Sequence, residues 1–212
     1  ERSMTLTKIS TKLTPIYIGL TFILWITLMS LGQDGYTNLI RAFSIMSTSG
    51  ISVPEKFGSD EAGFLGEFIM AIFLLLALSH NIIYYINKKT RLKKLLSDKE
   101  IRLGLLTVGC ITIVLSLKDM SFIASELTLK SSFVSGLKLV WGNFFTSFSF
   151  MTTNGYFSSY WVGPSSSEDM PHITIVLLGL CLFGGGLATT AGGIKLLRIS
   201  ILFSAFSNET GK

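Results

Sequence analysis

Phe183-Gly184-Gly185-Gly186-Leu187-Ala188-Thr189-Thr190-Ala191-Gly192-Gly193-Ile194-Lys195 closes a run of 25 residues, Met170 to Ile194, that contains no Asp, Glu, Lys or Arg. A membrane-crossing helix needs about 20 mostly apolar residues, so the run is long enough to span. Its second half opposes a helix. Gly184, Gly185, Gly186, Gly192 and Gly193 fall within ten residues, and each costs a helix up to about 1 kcal/mol relative to alanine. The tract therefore reads as an unwound intramembrane loop between half-helices, a device that turns backbone polar groups toward a cavity. A helix-packing face of small residues would need a continuity that this density of Gly and Thr opposes. A phosphate-binding loop would need Gly-Lys-Ser/Thr after a strand. Here Ile194 stands between Gly193 and Lys195, and Leu196 follows.

Upstream, 21 uncharged residues separate Lys12 from Asp34, and 20 separate Glu67 from Lys88. Both runs read as spans, and the first is too long for a secretory signal core. Leu103–Leu117, with 15 uncharged residues rich in leucine and β-branched side chains, is counted as a fourth. The 29 uncharged residues Leu139–Ser167 are interrupted by Gly142, Asn143, Asn154, Gly155, Gly163 and Pro164 and do not read as a plain span. With 49% hydrophobic residues, 15% charged and a mean hydropathy of +0.56, the composition argues against a soluble enzyme, in which about a quarter of residues are charged. The net charge of +5 sits between apolar runs and not on a nucleic-acid-binding face, so no nucleic-acid partner is expected. Arg2, Lys8 and Lys12, the linker cluster Lys88, Lys89, Arg91, Lys93, Lys94, Lys99 and Arg102, and Lys195, Arg198 and Lys212 hold most of the basic residues. Cytoplasmic segments are enriched in Lys and Arg, which places both termini and the linker inside. Asp34, Glu55, Asp60, Glu61, Glu67, Asp119, Glu126, Glu168 and Asp169 fall in the intervening external segments.

The chain then divides into two units of one plan: residues 1–87 and 103–212, each a span, a semi-apolar external segment and a span, joined by the basic cytoplasmic linker 88–102. After the first span comes Tyr36–Ile51, ending Ser47-Thr48-Ser49-Gly50-Ile51; after the third comes Leu139–Tyr156, ending Thr152-Thr153-Asn154-Gly155-Tyr156. Each reads as a short amphipathic helix running into a hydroxyl-rich strand with one glycine. A re-entrant helix returning through such a strand presents a column of carbonyl oxygens, the chemistry that replaces the hydration shell of K⁺. Taken singly, either tract reads as an external turn; two copies in matching places favour a pore loop. The fold class that follows is an all-α membrane protein of two span–pore helix–filter loop–span repeats, with the last span broken by the Gly-rich intramembrane loop.

These tracts, Ser47–Ile51, Thr152–Tyr156 and Gly184–Arg198 with Leu78-Ser79-His80-Asn81-Ile82-Ile83-Tyr84-Tyr85, resemble the Trk/Ktr/HKT superfamily of potassium-uptake proteins, most closely the bacterial Trk-type membrane subunit. The family has four span–pore helix–filter–span repeats around one pore, and this chain resembles the second and third. The resemblance implies a K⁺ filter built from carbonyls of Thr48, Ser49 and Gly50 and of Thr153, Asn154 and Gly155. It implies a gating loop beneath it comprising Gly184, Gly185, Gly186, Thr189, Thr190, Gly192, Gly193 and Lys195. Leu187 and Ala188 depart from the family's small residue followed by glycine, which implies a stiffer loop. K⁺ is the implied cargo, with no cofactor in the chain. The implied partners are the remaining repeats, a second copy of the subunit, a cytosolic nucleotide-binding regulatory subunit and the lipid bilayer, in the cell (inner) membrane. Glu1 is not a start methionine and two repeats are absent, so a fragment or a split gene is expected; a non-conducting truncated or assembly subunit is the alternative to transport.

Other residues carry less. Arg198 reads as the positive flank of the last span, and Lys195 either as the same flank or as a cation-repelling element of the loop. Arg41 is expected to face an external vestibule or Asp34. His80 and His172 are too few and too far apart for a metal site, Cys110 and Cys181 have no closely spaced partner, and no nucleophile–base constellation is visible.

Overall fold

The computed structural model of the chain describes residues 2–32, 34–53, 63–77, 99–123, 132–161, 171–186 and 189–210. The tract 78–85 with His80, the linker as far as residue 98, residues 54–62 and 162–170, and Leu187 and Ala188 lie outside the described residues. Among the described residues the structure is all-helical, with no strand: α1 (Arg2–Ser30), α2 (Gly35–Ser47), α3 (Gly63–Leu74) with a 3₁₀ turn at Leu75–Ala77, α4 (Lys99–Ile123), α5 (Ser132–Met151), α6 (Pro171–Leu182) and α7 (Leu196–Thr210).

Two of these helices are long and apolar enough to cross a membrane, α1 over Leu13–Ser30 and α4 over Ile101–Asp119. α1 buries Leu24 and Leu28, yet Ile18, Phe22, Ile23 and Ile26 on its other faces are each more than half exposed. On α4, Leu106, Ile113, Val114 and Leu117 are exposed to the same degree. Contiguous apolar helix faces of this kind suit acyl chains rather than water. Several of their hydroxyls bond back to the helix itself, as suits an apolar medium: Thr21 donates to the Tyr17 carbonyl (2.8 Å), Thr27 to Leu24 (2.8 Å) and Thr107 to Gly104 (2.8 Å). α4 is longer than its 15-residue uncharged run because Lys99, Glu100 and Arg102 at one end and Lys118 and Asp119 at the other are taken into the helix. Charged groups at helix ends reach the polar interface without breaking the backbone ladder.

α6 stops after 12 residues, about 18 Å at 1.5 Å per residue and short of a 30 Å hydrocarbon core. The span expected after Asp169 is thus interrupted where the glycines begin. α5 runs for 20 residues, but it buries Asn143, Thr146, Ser147 and Ser149 and is not an apolar span.

The helices pack in the order α1 on α2, α2 on α3, α4 on α5, and α5 on α6, with α3 against α5 joining the two groups. The indole Nε1 of Trp25 donates to the Gly35 carbonyl (3.0 Å), fixing the turn from α1 into α2. Asn143 of α5 donates to Ser116 Oγ (3.2 Å) and Asp119 Oδ2 (2.9 Å) of α4. The shared core holds Leu24, Leu28, Ile45, Met70, Leu74, Val108, Phe145, Phe148 and Met151.

Candidate functional site

α2 and α5 end in the same way. Asp34 starts α2, its Oδ2 accepting from the Thr37 hydroxyl at 3.1 Å. At the other end Thr48 N–H donates to Ile45 O (3.3 Å) and Ser49 N–H to Ser44 O (3.0 Å). At the end of α5 Thr153 N–H donates to Phe150 O (3.0 Å) and Asn154 N–H to Ser149 O (2.9 Å). Thr48 and Thr153 both take left-handed backbone, at φ 50° and 60°, and so do Gly50 and Gly155, at 68° and 78°. Every one of these pairs is separated by the same 105 positions that separate Ile51 from Tyr156. Left-handed φ is uncommon for a non-glycine residue and costs about 1–3 kcal/mol, so it persists only where its surroundings impose it.

The two segments that follow lie side by side. A Cβ on Gly50 would collide with the Asn154 carbonyl oxygen, so the backbones touch there only because position 50 has no side chain. The Tyr156 hydroxyl donates to the Ile51 carbonyl at 2.7 Å, a second tie between them. Both helices direct their C-terminal ends at these segments. A helix C-terminus carries about half a negative charge, a polarity that favours a cation. Asn154 is buried, with neither amide atom hydrogen-bonded.

The glycine-rich tract meets the same place. Between α6 and α7 the chain forms a loop whose neck is closed by Ile194 N–H to Leu182 O (2.7 Å) and Leu196 N–H to Gly185 O (3.2 Å). Gly184, Gly185 and Gly186 are buried, and a Cβ on Gly184 would run into the Met151 carbonyl at the end of α5. Gly192 N–H donates to Thr153 Oγ1 at 2.9 Å, so this loop is bonded to the second residue beyond α5. Thr189 Oγ1 donates to Gly186 O (2.8 Å), while Thr190 is exposed. The Lys195 ammonium turns back onto the loop and donates to the Ala191 carbonyl. Arg198 is exposed.

Sequence reasoning selected Thr48, Ser49, Gly50, Thr153, Asn154, Gly155 and the loop residues, and the structure brings these three segments together. It did not anticipate the left-handed backbone of Thr48 and Thr153, and it did not select Tyr156 or Glu67. Glu67, counted among external acids, is fully buried, and Arg41 is buried as well. Among the described residues no group of three His, Cys, Asp or Glu could hold a metal ion. Cys110 and Cys181 are free, the latter donating its Sγ to the Phe150 carbonyl (3.2 Å).

No family model matches the chain. The Trk system potassium uptake protein TrkG of Escherichia coli (strain K12) is 29% identical over 212 positions, which take in 93% of this chain and 40% of that relative. The chain therefore spans less than half the length of the curated relative it matches. That relative is named for uptake of an ion, not for a reaction. The resemblance read from the motifs is borne out along nearly the whole chain, which is similar to part of a Trk-type potassium-uptake protein.

Proposed function

We propose that the chain supplies two strands of the selectivity filter and the gate of a potassium-uptake pathway in the inner membrane, and that it is a transporter component and not an enzyme. Residues 1–87 and 103–212 are two span–pore helix–filter–span repeats, with the linker 88–102 and both termini cytoplasmic. Carbonyls of Thr48, Ser49 and Gly50 and of Thr153, Asn154 and Gly155 replace the water lost when K⁺ enters. The C-terminal ends of α2 and α5 add a field that favours a cation. The loop Gly184–Gly193, with Lys195, gates the path below. The observation that carries this reading is the identical termination of α2 and α5, with left-handed Thr and Gly at the same offsets and their backbones in contact. The hydrogen bond from Gly192 to Thr153 supports a gate that adjoins the filter. The similarity to a potassium-uptake protein supports the identity of the ion.

A filter ring needs four strands, so the remaining repeats of the transporter complete it. A second copy of the subunit and a cytosolic nucleotide-binding regulator are the further partners of this reading. The test is Rb⁺ or K⁺ flux into liposomes carrying the assembled transporter, with and without competing Na⁺, beside Gly50→Asp and Gly155→Asp. K⁺-selective flux lost in both variants is the expected result. Flux and selectivity unchanged in folded variants overturn the proposal.

A further inference from the structure

A buried carboxylate stands behind the second of these segments. Glu67 is fully buried near the start of α3. Its Oε2 accepts from Trp141 Nε1 (2.8 Å) and from Ser158 Oγ (2.7 Å), and its Oε1 accepts from the backbone N–H of Ser159 (2.7 Å). Ser158 Oγ itself accepts the Tyr160 N–H at 3.1 Å, which leaves the hydroxyl hydrogen for Glu67. Ser158 N–H is held in turn by Thr146 Oγ1 at 3.2 Å. Burying a carboxylate is costly unless several donors meet it. Here the donors come from α5 and from the segment that leaves Gly155. The carboxylate thus ties α3 to both the helix that carries Thr153–Gly155 and the chain three residues beyond Gly155.

The neighbours leave that chain little freedom. A Cβ on Gly142 would stand 2.5 Å from the Tyr160 carbonyl oxygen, so α5 and residues 158–161 are in backbone contact. The Trp141 ring packs against Phe64 at 4.7 Å between centroids, which fixes the indole that donates to Glu67. Lys138 Nζ lies 5.7 Å from the centre of the Tyr160 ring.

We infer that Glu67 is a positioning residue that holds the outer end of the Thr153–Gly155 strand and so sets how well that strand discriminates K⁺ from Na⁺. This rests on the filter reading above. Discrimination by carbonyls depends on how firmly and in what number they are held around the ion, and a strand fixed at both ends keeps its carbonyls in place. Its inner end is fixed by the cap of α5. Its outer end is fixed by Glu67.

The test uses Glu67→Gln, which keeps size and shape but replaces one acceptor oxygen by an NH₂ group facing a donor. In the assembled transporter, the K⁺-over-Na⁺ preference in liposome flux should fall roughly tenfold while flux persists, the order expected when one buried hydrogen bond to a charged group is lost. Adding Trp141→Phe removes the donor that opposes the amide, so the double variant should regain part of that preference. A residue that serves only as packing would show further loss instead. Unchanged selectivity in folded Glu67→Gln, or additive losses in the double variant, overturns the inference. If Glu67→Gln does not assemble, Ser158→Ala removes one donor and carries the same expectation. If the wild type itself shows no K⁺ preference, the filter reading falls, and amide exchange at Ser159 and Tyr160 then decides the brace. Faster exchange in Glu67→Gln supports it, and equal exchange overturns it.

Discussion

The ends of α2 and α5 share a backbone and differ in what holds them. After α5, Ser149 Oγ accepts the Tyr156 N–H (2.7 Å), Thr146 holds Ser158, and Thr153 receives Gly192. After α2, the hydroxyl bonds are short-range: Ser47 Oγ to Ser49 Oγ at 3.1 Å and Thr48 Oγ1 to the Ser47 carbonyl at 2.7 Å. The buried asparagines make the same point. Asn143 bonds α4 through Ser116 and Asp119, whereas Asn38, the equivalent 105 positions earlier, is buried with both amide atoms unpaired. One backbone design is thus fixed by several distant side chains in one place and, apart from the Tyr156 hydroxyl on the Ile51 carbonyl, by its own turn in the other. Equal geometry does not mean equal rigidity.

Glycine replacements should split the two ends most widely. Gly50→Ala combines left-handed strain with a collision against the Asn154 carbonyl, while a Cβ at Gly155 meets nothing within 4 Å. Chemical unfolding in detergent should show a loss of about 2–4 kcal/mol for Gly50→Ala and about 1 kcal/mol for Gly155→Ala. Equal losses would mean that the two backbones do not touch in the membrane. Next in size, Asn143→Ala strips partners from Ser116 and Asp119 and should cost about 1–3 kcal/mol. Asn38→Ala, which removes an unpaired buried amide, should be near neutral in the same assay. The smallest effect separates the threonines. Thr153→Val leaves Gly192 N–H without its acceptor and should cost about 1 kcal/mol, with faster amide exchange at Gly192. Thr48→Val loses only a bond to its neighbour's carbonyl and should leave Gly192 exchange unchanged.

Much of this arrangement was legible in the sequence because it is written locally. Charge-free runs mark α1, and the density of Gly184–Gly193 marks where α6 breaks. Gly50 and Gly155 are single residues whose type announces unusual backbone. Thr48 and Thr153 carry no such mark, since threonine has no preference for left-handed φ and takes it here from the cap that ends each helix. Glu67 was illegible for a different reason: its donors lie 74, 91 and 92 residues away. A lone carboxylate at the edge of an apolar run looks like a solvated flank until the fold brings those donors to it. α4 was underestimated because uncharged length was the measure, and its charged ends are helical too.

The closed neck between α6 and α7 bears on tempo. Leu182 and Ile194 are bonded to each other, as are Gly185 and Leu196, so the two helices are tied together across the ends of the loop. Loop rearrangements run on nanoseconds to microseconds, whereas displacing packed helices takes microseconds to milliseconds. If the loop gates as proposed, a motion confined to it would keep pace with the arrival of individual ions, and the helices would serve as its fixed frame.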